Sequence, residues 1–173
     1  LFIESKACYA KRCVTSIPHM SIETYTGNDG DFPTTIARHE GSERGPDGLL
    51  CCYGGMVPLC VDAVLELRKR EGLLIDLMVF SQLSPPPTDH IRRVLDQCRP
   101  RVVAYAEETS TVAGWTAELI AQIEQIRSEN PDSPPFTHCR IGGDFTPIPS
   151  SRELELHSLP QIEDIISSIV NCF

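Results

Sequence analysis

The stretch Arg101-Val102-Val103-Ala104-Tyr105-Ala106-Glu107-Glu108-Thr109-Ser110-Thr111-Val112-Ala113-Gly114-Trp115-Thr116-Ala117-Glu118 decides how the rest of the chain is read. Val102 to Ala106 is an unbroken apolar run of the kind that makes a strand buried on both faces. Two carboxylates, Glu107 and Glu108, stand where that strand should end. A turn of small residues follows, and an apolar-periodic helix carries the chain on. Strand, polar crossover and helix make half of a parallel βαβ unit. In open sheets of this type function gathers at the carboxyl ends of the strands, so the two glutamates mark the first place to look for chemistry.

The same alternation extends to both sides. Upstream, Leu49 to Tyr53 reads as a buried strand, and Gly54-Gly55 turns into a helix with Val57, Cys60, Val61, Val64 and Leu65 on one face. Gly72 ends that helix, as glycine commonly does. Leu73 to Phe80 is the next strand. After the rigid Ser84-Pro85-Pro86-Pro87, Thr88 can cap a helix with Ile91, Val94, Leu95 and Cys98 inward. Downstream, Leu119, Ile120, Ile123 and Ile126 face the core from the third helix, and the proline-rich 130–135 stretch stops it. Phe136 to Ile141 is a fourth strand, broken by Gly142-Gly143, and Pro147 to His157 is an irregular crossing. Pro160 opens a last helix with Ile162, Ile165, Ile166, Ile169, Val170 and Phe173 on one stripe. A mostly parallel sheet with helices on both faces and right-handed crossovers follows.

The region from Ser16 to Gly48 differs. It holds Pro18, Pro33 and Pro46, five glycines, and six acidic residues against Arg38 and Arg44. It reads as a long loop or linker at 16–48 carrying a short extended segment or two. The compact domain is expected at 49–173, and 1–15 as the end of a preceding domain. The chain begins at Leu1 without methionine, which suggests a piece cut from a longer polypeptide.

At 173 residues with 41% apolar residues the chain can bury a core. Its net charge of −9 disfavours nucleic acid and anionic membrane surfaces, and suits a basic partner. No apolar run approaches the roughly 20 residues that span a bilayer. The eight cysteines form no Cys-x-x-Cys pair and several lie in apolar runs. They read as buried thiols of a reducing compartment, cytoplasm or mitochondrial matrix.

No complete active site emerges. Gly54-Gly55 lies outside the dinucleotide and P-loop patterns, so a nucleotide-binding Rossmann enzyme is disfavoured and a plain tight turn is the better reading. Neighbours along a strand point to opposite faces, so Glu107 and Glu108 would not share a proton as a facing dyad does. One should meet a positive group or a helix terminus while the other faces solvent. Arg140, before Gly142-Gly143-Asp144, could hold a carboxylate or phosphate, but an ion pair with one of those glutamates is favoured. No G-x-S-x-G elbow supports a serine nucleophile. His19 and His39 read as solvated loop histidines, His138 as packed in a strand, and His157 as a loop residue without assigned role.

The ordered set of motifs resembles the C-terminal domain of the transketolase family, above all the β subunits of thiamine-diphosphate-dependent 2-oxoacid dehydrogenases. The resemblance runs through Leu50-Cys51-Cys52-Tyr53-Gly54-Gly55-Met56-Val57, then Leu74-Ile75-Asp76-Leu77 and Leu83-Ser84-Pro85. It continues in Val102 to Glu108 with Ala113-Gly114-Trp115-Thr116-Ala117-Glu118, where Ala113 replaces the first glycine of the family's pair. It ends in Arg140 to Pro149, Leu154-Glu155 and Leu159-Pro160, and Glu4 to Tyr9 resembles the end of the pyrimidine-binding domain. The likeness implies a three-layer α/β/α domain with a mostly parallel five-stranded sheet and one antiparallel edge strand. It implies no catalytic, cofactor or metal residue in this chain; thiamine diphosphate and Mg²⁺ would sit elsewhere in the parent enzyme. The implied role is assembly with an α subunit and a second β subunit, and docking of the basic subunit-binding domain of an acyltransferase core. Glu107, Glu108, Gly114, Glu118, Arg140, Asp144 and Phe173 are the interface candidates. A free-standing regulatory or assembly module, binding a small anion at Gly54-Gly55 or a partner protein, is the alternative.

Overall fold

The computed structural model describes residues 3, 8–9, 13–26, 32–41, 45–130 and 132–173. A six-stranded sheet runs in the order β1-β2-β4-β3-β5-β6. Its strands are β1 (Met20–Tyr25), β2 (Thr34–His39), β3 (Gly48–Tyr53), β4 (Ile75–Phe80), β5 (Val102–Ser110) and β6 (Thr137–Gly143). β3 to β6 are parallel, whereas β1 and β2 form a hairpin whose second strand pairs antiparallel with β4. The sheet is therefore one strand wider than the five expected, with an antiparallel edge two strands deep. The two extended segments foreseen within 16–48 belong to the sheet. β1 is polar along most of its length because it is the edge; only Met20 is buried there.

The alternation of strand side chains builds two cores. Leu50, Cys52, Leu77, Ala104 and Ala106 face α1 (Val57–Glu71) and α5 (Ile162–Val170). Leu49, Cys51, Met78, Val103 and Tyr105 face α2 (Thr88–Cys98) and α3 (Trp115–Ser128). The helices thus make the outer two of three layers. Gly72 ends α1 in the left-handed conformation at φ 67°. At α5 the Gln161 and Asp164 side chains form a reciprocal cap.

Local departures from the sequence reading have identifiable causes. Thr88 is the first helical residue of α2, behind Pro87, and no side chain caps the helix. Gly142 and Gly143 continue β6 instead of breaking it, because a Cβ on Gly142 would lie 2.7 Å from the Thr109 carbonyl oxygen of the neighbouring strand. Within the 147–157 crossing the chain forms a short helix, α4 (Arg152–Ser158). The expectation for 1–15 falls mostly outside the described residues. All eight cysteines are free thiols, five of them buried. Burial pushes the Cys98 and Cys139 thiols up to about 12, which makes both inert at neutral pH. No described helix is long and apolar enough to cross a membrane.

His39 is not a solvated loop residue. It ends β2, and its two ring nitrogens are buried without a hydrogen-bond partner, as is Nη1 of Arg68. Burial first, and the Arg68 charge second, hold the imidazole below its ordinary value. The folded state therefore favours neutral His39, and the unfolded chain binds more protons below about pH 6.5. Stability should fall as pH drops below that value towards the depressed one. His39→Phe keeps a ring there, and urea titrations at pH 7 and pH 5 should show a smaller loss on acidification than in the wild type.

Candidate functional site

β3 and β5 are adjacent, but their chains leave in opposite directions, β3 through α1 to β4 and β5 through α3 to β6. The carboxyl ends of β3 and β5 thus flank the topological switch point, where open α/β sheets bind ligands. In this chain that crevice is filled from within. Trp115 lies edge-on to Tyr53 at 5.0 Å and to Phe80 at 5.2 Å, and its Nε1–H donates to the Leu83 carbonyl at 2.8 Å. Burial raises the Tyr53 hydroxyl, and the charges of Glu107 and Glu108 raise it further.

The centre of the site is Glu107, at 0% exposure. One carboxylate oxygen accepts from the Thr116 hydroxyl and lies 3.5 Å from Nη2 of Arg140. The other accepts from the Thr109 hydroxyl at 3.1 Å and from the Thr116 backbone N–H at 3.4 Å. Gly114, the residue before α3, has no side chain with which to cap it. Glu107 supplies the negative group from the strand instead, at the positive end of the helix dipole. A Cβ on Gly114 would lie 2.6 Å from the Glu107 Cδ, so only glycine admits the carboxylate so close. Arg140 completes the cluster: Nε donates to the Thr116 hydroxyl at 3.1 Å and Nη2 to the Thr111 carbonyl.

The expected division between the two glutamates is present, with Glu107 inward on a cation and a helix start and Glu108 exposed. Glu107, Gly114 and Arg140 meet directly. Glu118 lies one turn along α3, exposed, with its carboxylate accepting from Gln122 at 2.8 Å. Asp144 is exposed just beyond β6. Phe173 is at the other end of the sheet, under the Arg101 guanidinium at 4.8 Å and near Gly48. Sequence reasoning missed Thr116, Thr109 and Thr111, whose hydroxyls and carbonyl join the cluster. The available signal was a threonine two residues past a glycine that cannot cap its own helix.

A second buried carboxylate was also missed. Asp76 on β4 accepts from the His39 N–H at 3.0 Å and from the Cys98 thiol at 3.4 Å, with Arg38 Nη1 at 3.6 Å. Burial raises its pKa despite these donors. A single acid inside the apolar run Ile75 to Phe80 was the visible sign.

Chemically, the Glu107 cluster clamps the end of β5 to α3 and β6. A carboxylate with both oxygens engaged and no exposure has no path to a substrate proton. Among the described residues no group of three or more His, Cys, Asp or Glu side chains could hold a metal ion. A diphosphate brought to the start of α3 would meet the Glu107 carboxylate already there, so this helix start does not fit thiamine diphosphate. Cavities of about 230 and 550 Å³ lie elsewhere, beside Arg99, Arg127 and Phe136 and along the rim of α1 and α5.

No family model matches the sequence, and no curated protein does either. Among solved structures, the fold is similar to a split-gene transketolase determined as an inactive β4 tetramer. The identity is 18%, covering 80% of this chain and 41% of that chain, with a TM-score of 0.60. A 2-oxoglutarate:ferredoxin oxidoreductase from Magnetococcus marinus (17% identity, 80% of this chain and 19% of that one) and a bacterial heroin esterase (14%, 94% and 56%) align with TM-scores of 0.46 and 0.45, too distant to carry an argument. The chain is thus a transketolase-like α/β domain in fold. It spans under half the length of the split-gene transketolase chain.

The clamp makes three predictions. Ala113, just before the start of α3, is held left-handed at φ 57°. Such a conformation costs a non-glycine residue roughly 1–2 kcal/mol, and glycine's extra unfolded-state entropy offsets about 0.5–1 of that. Ala113→Gly should raise unfolding free energy by about 0.5–1 kcal/mol in urea. Glu107→Ala should lower it by about 3–5 kcal/mol, because it leaves Arg140 and Thr116 without their partner. Glu108→Gln, on the exposed neighbour, should stay within about 0.5 kcal/mol of wild type.

Proposed function

We propose that the chain serves as the C-terminal assembly and docking domain of a thiamine-diphosphate-dependent 2-oxoacid dehydrogenase β subunit. The parent enzyme would decarboxylate a 2-oxoacid and pass the acyl group to a lipoyl arm. The observation that carries this reading is the filled switch point: the carboxylate best placed for chemistry is spent on holding its own fold. The ordered motifs from Leu50 to Pro160 support the family, and the shared fold supports its C-terminal domain. The split-gene transketolase with this fold assembles as an inactive β4 tetramer, which suits a division between assembly and chemistry. The partners in this reading are an α subunit, a second β subunit and the basic subunit-binding domain of an acyltransferase. Thiamine diphosphate and Mg²⁺ would be held by the rest of the parent enzyme.

The test is direct. The isolated chain, given thiamine diphosphate, Mg²⁺ and pyruvate or a branched 2-oxoacid, should release no CO₂ above the protein-free control. Clear turnover would sink the reading. Within the assembled parent enzyme, Glu108→Gln should weaken subunit association more than the decarboxylation step.

A further inference from the structure

We propose that the cavity between the carboxyl ends of α2 and α3 binds a free α-amino acid with a small apolar side chain. The proposal is independent of the assembly reading, which concerns the domain's partners and not this cavity.

The chain's path sets the place of this cavity. Arg99 and Pro100 lead from α2 into β5, and the 132–136 segment leads from α3 into β6. The space therefore lies at the amino ends of these two strands, away from the Glu107 cluster at their other ends. It measures about 230 Å³, and Leu95, Pro100, Ile126 and Phe136 give it an apolar lining. Phe136 also packs under the Arg127 guanidinium at 4.6 Å. At roughly 30 Å³ for each water-sized group, such a space takes about eight of them. That suits a side chain of the size of valine or leucine and is too small for a nucleotide.

Charge of both signs lines the same space. Arg92, Arg99 and Arg127 supply guanidiniums, and Asp96 and Asp132 supply carboxylates. Glu129 holds Arg92 at 2.5 Å and Glu124 holds Arg127 at 2.6 Å, so both side chains are positioned in advance. Nε of Arg127 is nevertheless buried without a hydrogen-bond partner, a costly state that an acceptor in the cavity relieves. Arg99, Asp96 and Asp132 are exposed and take part in no ion pair among the described residues, although Asp96 and Arg99 are close in sequence. Arg99 is held left-handed at φ 44° just past α2, where helices commonly carry glycine. A long charged side chain kept at a strained position points to a use for that side chain. A ligand carboxylate accepting from Arg99 and from Nε of Arg127 matches the cations. The last carbonyls of α2 and α3 are the negative ends of their helix dipoles and, with Asp96 and Asp132, favour an ammonium. The apolar lining takes the side chain. A phosphate would bring a second negative charge to the two aspartates, and a plain fatty acid or amine would leave one set of charges unmatched.

The probes are L-valine and L-leucine, titrated calorimetrically into the full chain beside 4-methyl-2-oxopentanoate and 3-methylbutylamine. The last two carry leucine's side chain with only one of its two charges. At least one of the amino acids should bind saturably, and each single-charge analogue roughly tenfold or more weakly than leucine. Arg99→Gly removes the guanidinium and suits the left-handed turn. That variant should be at least as stable in urea as the wild type and yet bind leucine roughly tenfold or more weakly. Asp96→Asn with Asp132→Asn should weaken leucine binding without weakening that of the oxoacid. Glu71→Gln, an exposed acid on α1 in the opposite layer, should change nothing. The proposal is overturned by the absence of saturable binding of both amino acids at millimolar concentration. Leucine binding that ignores Arg99→Gly overturns it as well. So does an oxoacid that binds as tightly as leucine, which would make this a site for simple carboxylates. The CO₂ assay tests the assembly reading separately.

Discussion

The burial of one carboxylate, Glu107, constrains everything at the carboxyl end of the sheet. A charge at 0% exposure is costly unless paired and hydrogen-bonded, and here each partner belongs to a different piece of chain. Thr109 lies near the end of β5, Thr116 is in the first turn of α3 and Arg140 is in the middle of β6. Satisfying the charge therefore fixes how those pieces meet. Surface pairs such as Arg70–Glu163 and Arg92–Glu129 are worth at most about 1 kcal/mol each and fix no such arrangement. The glycine at 114 and the left-handed Ala113 are consequences: the turn must bring the helix start onto the carboxylate without a side chain between them.

Asp76 plays the corresponding part near the opposite end of the same face. It joins β2, β4 and α2 through His39, Cys98 and Arg38, and Arg38 also donates to Gln97 at 2.6 Å. Each of the helices α2 and α3 is thus tied to the sheet by a buried acid as well as by apolar packing. On the other face α1 and α5 rely on apolar contacts, with the exposed Arg70–Glu163 pair at their rim. Apolar packing alone tolerates sliding among similar side chains, whereas a satisfied polar network has one good geometry.

The alternation of strands and helices from Leu49 onward was legible because parallel strands buried on both faces must be continuous apolar runs. An ion pair between Arg140 and one of the two glutamates was legible too, from their places on the third and fourth apolar runs, although the choice of Glu107 was not. The hairpin within 16–48 was not. Its strands are at or next to the sheet edge, so Ser21, Glu23 and Thr24 stay polar and dilute the pattern that marked the centre. The continuation of β6 through Gly142-Gly143 was hidden for a different reason. A glycine pair signals a break when the chain is read alone, and a close approach only once Thr109 and Ser158 are seen beside it. Thr116 was invisible as a site residue because its role comes from a strand end nine residues earlier.

The same economy explains why the surface loop from Asp144 to Ser158 can be independent of the core. Its neck is held by backbone, the Asp144 N–H on the Ser158 carbonyl, and not by the side chains displayed beyond it. Phe145, Ile148, Leu154 and Leu156 contribute little to the domain's own packing, since each is at least half exposed. Changing them alters what the surface presents without disturbing the two cores or the Glu107 clamp. The buried acids brace the sheet against its helices, while these four exposed side chains lie outside both cores.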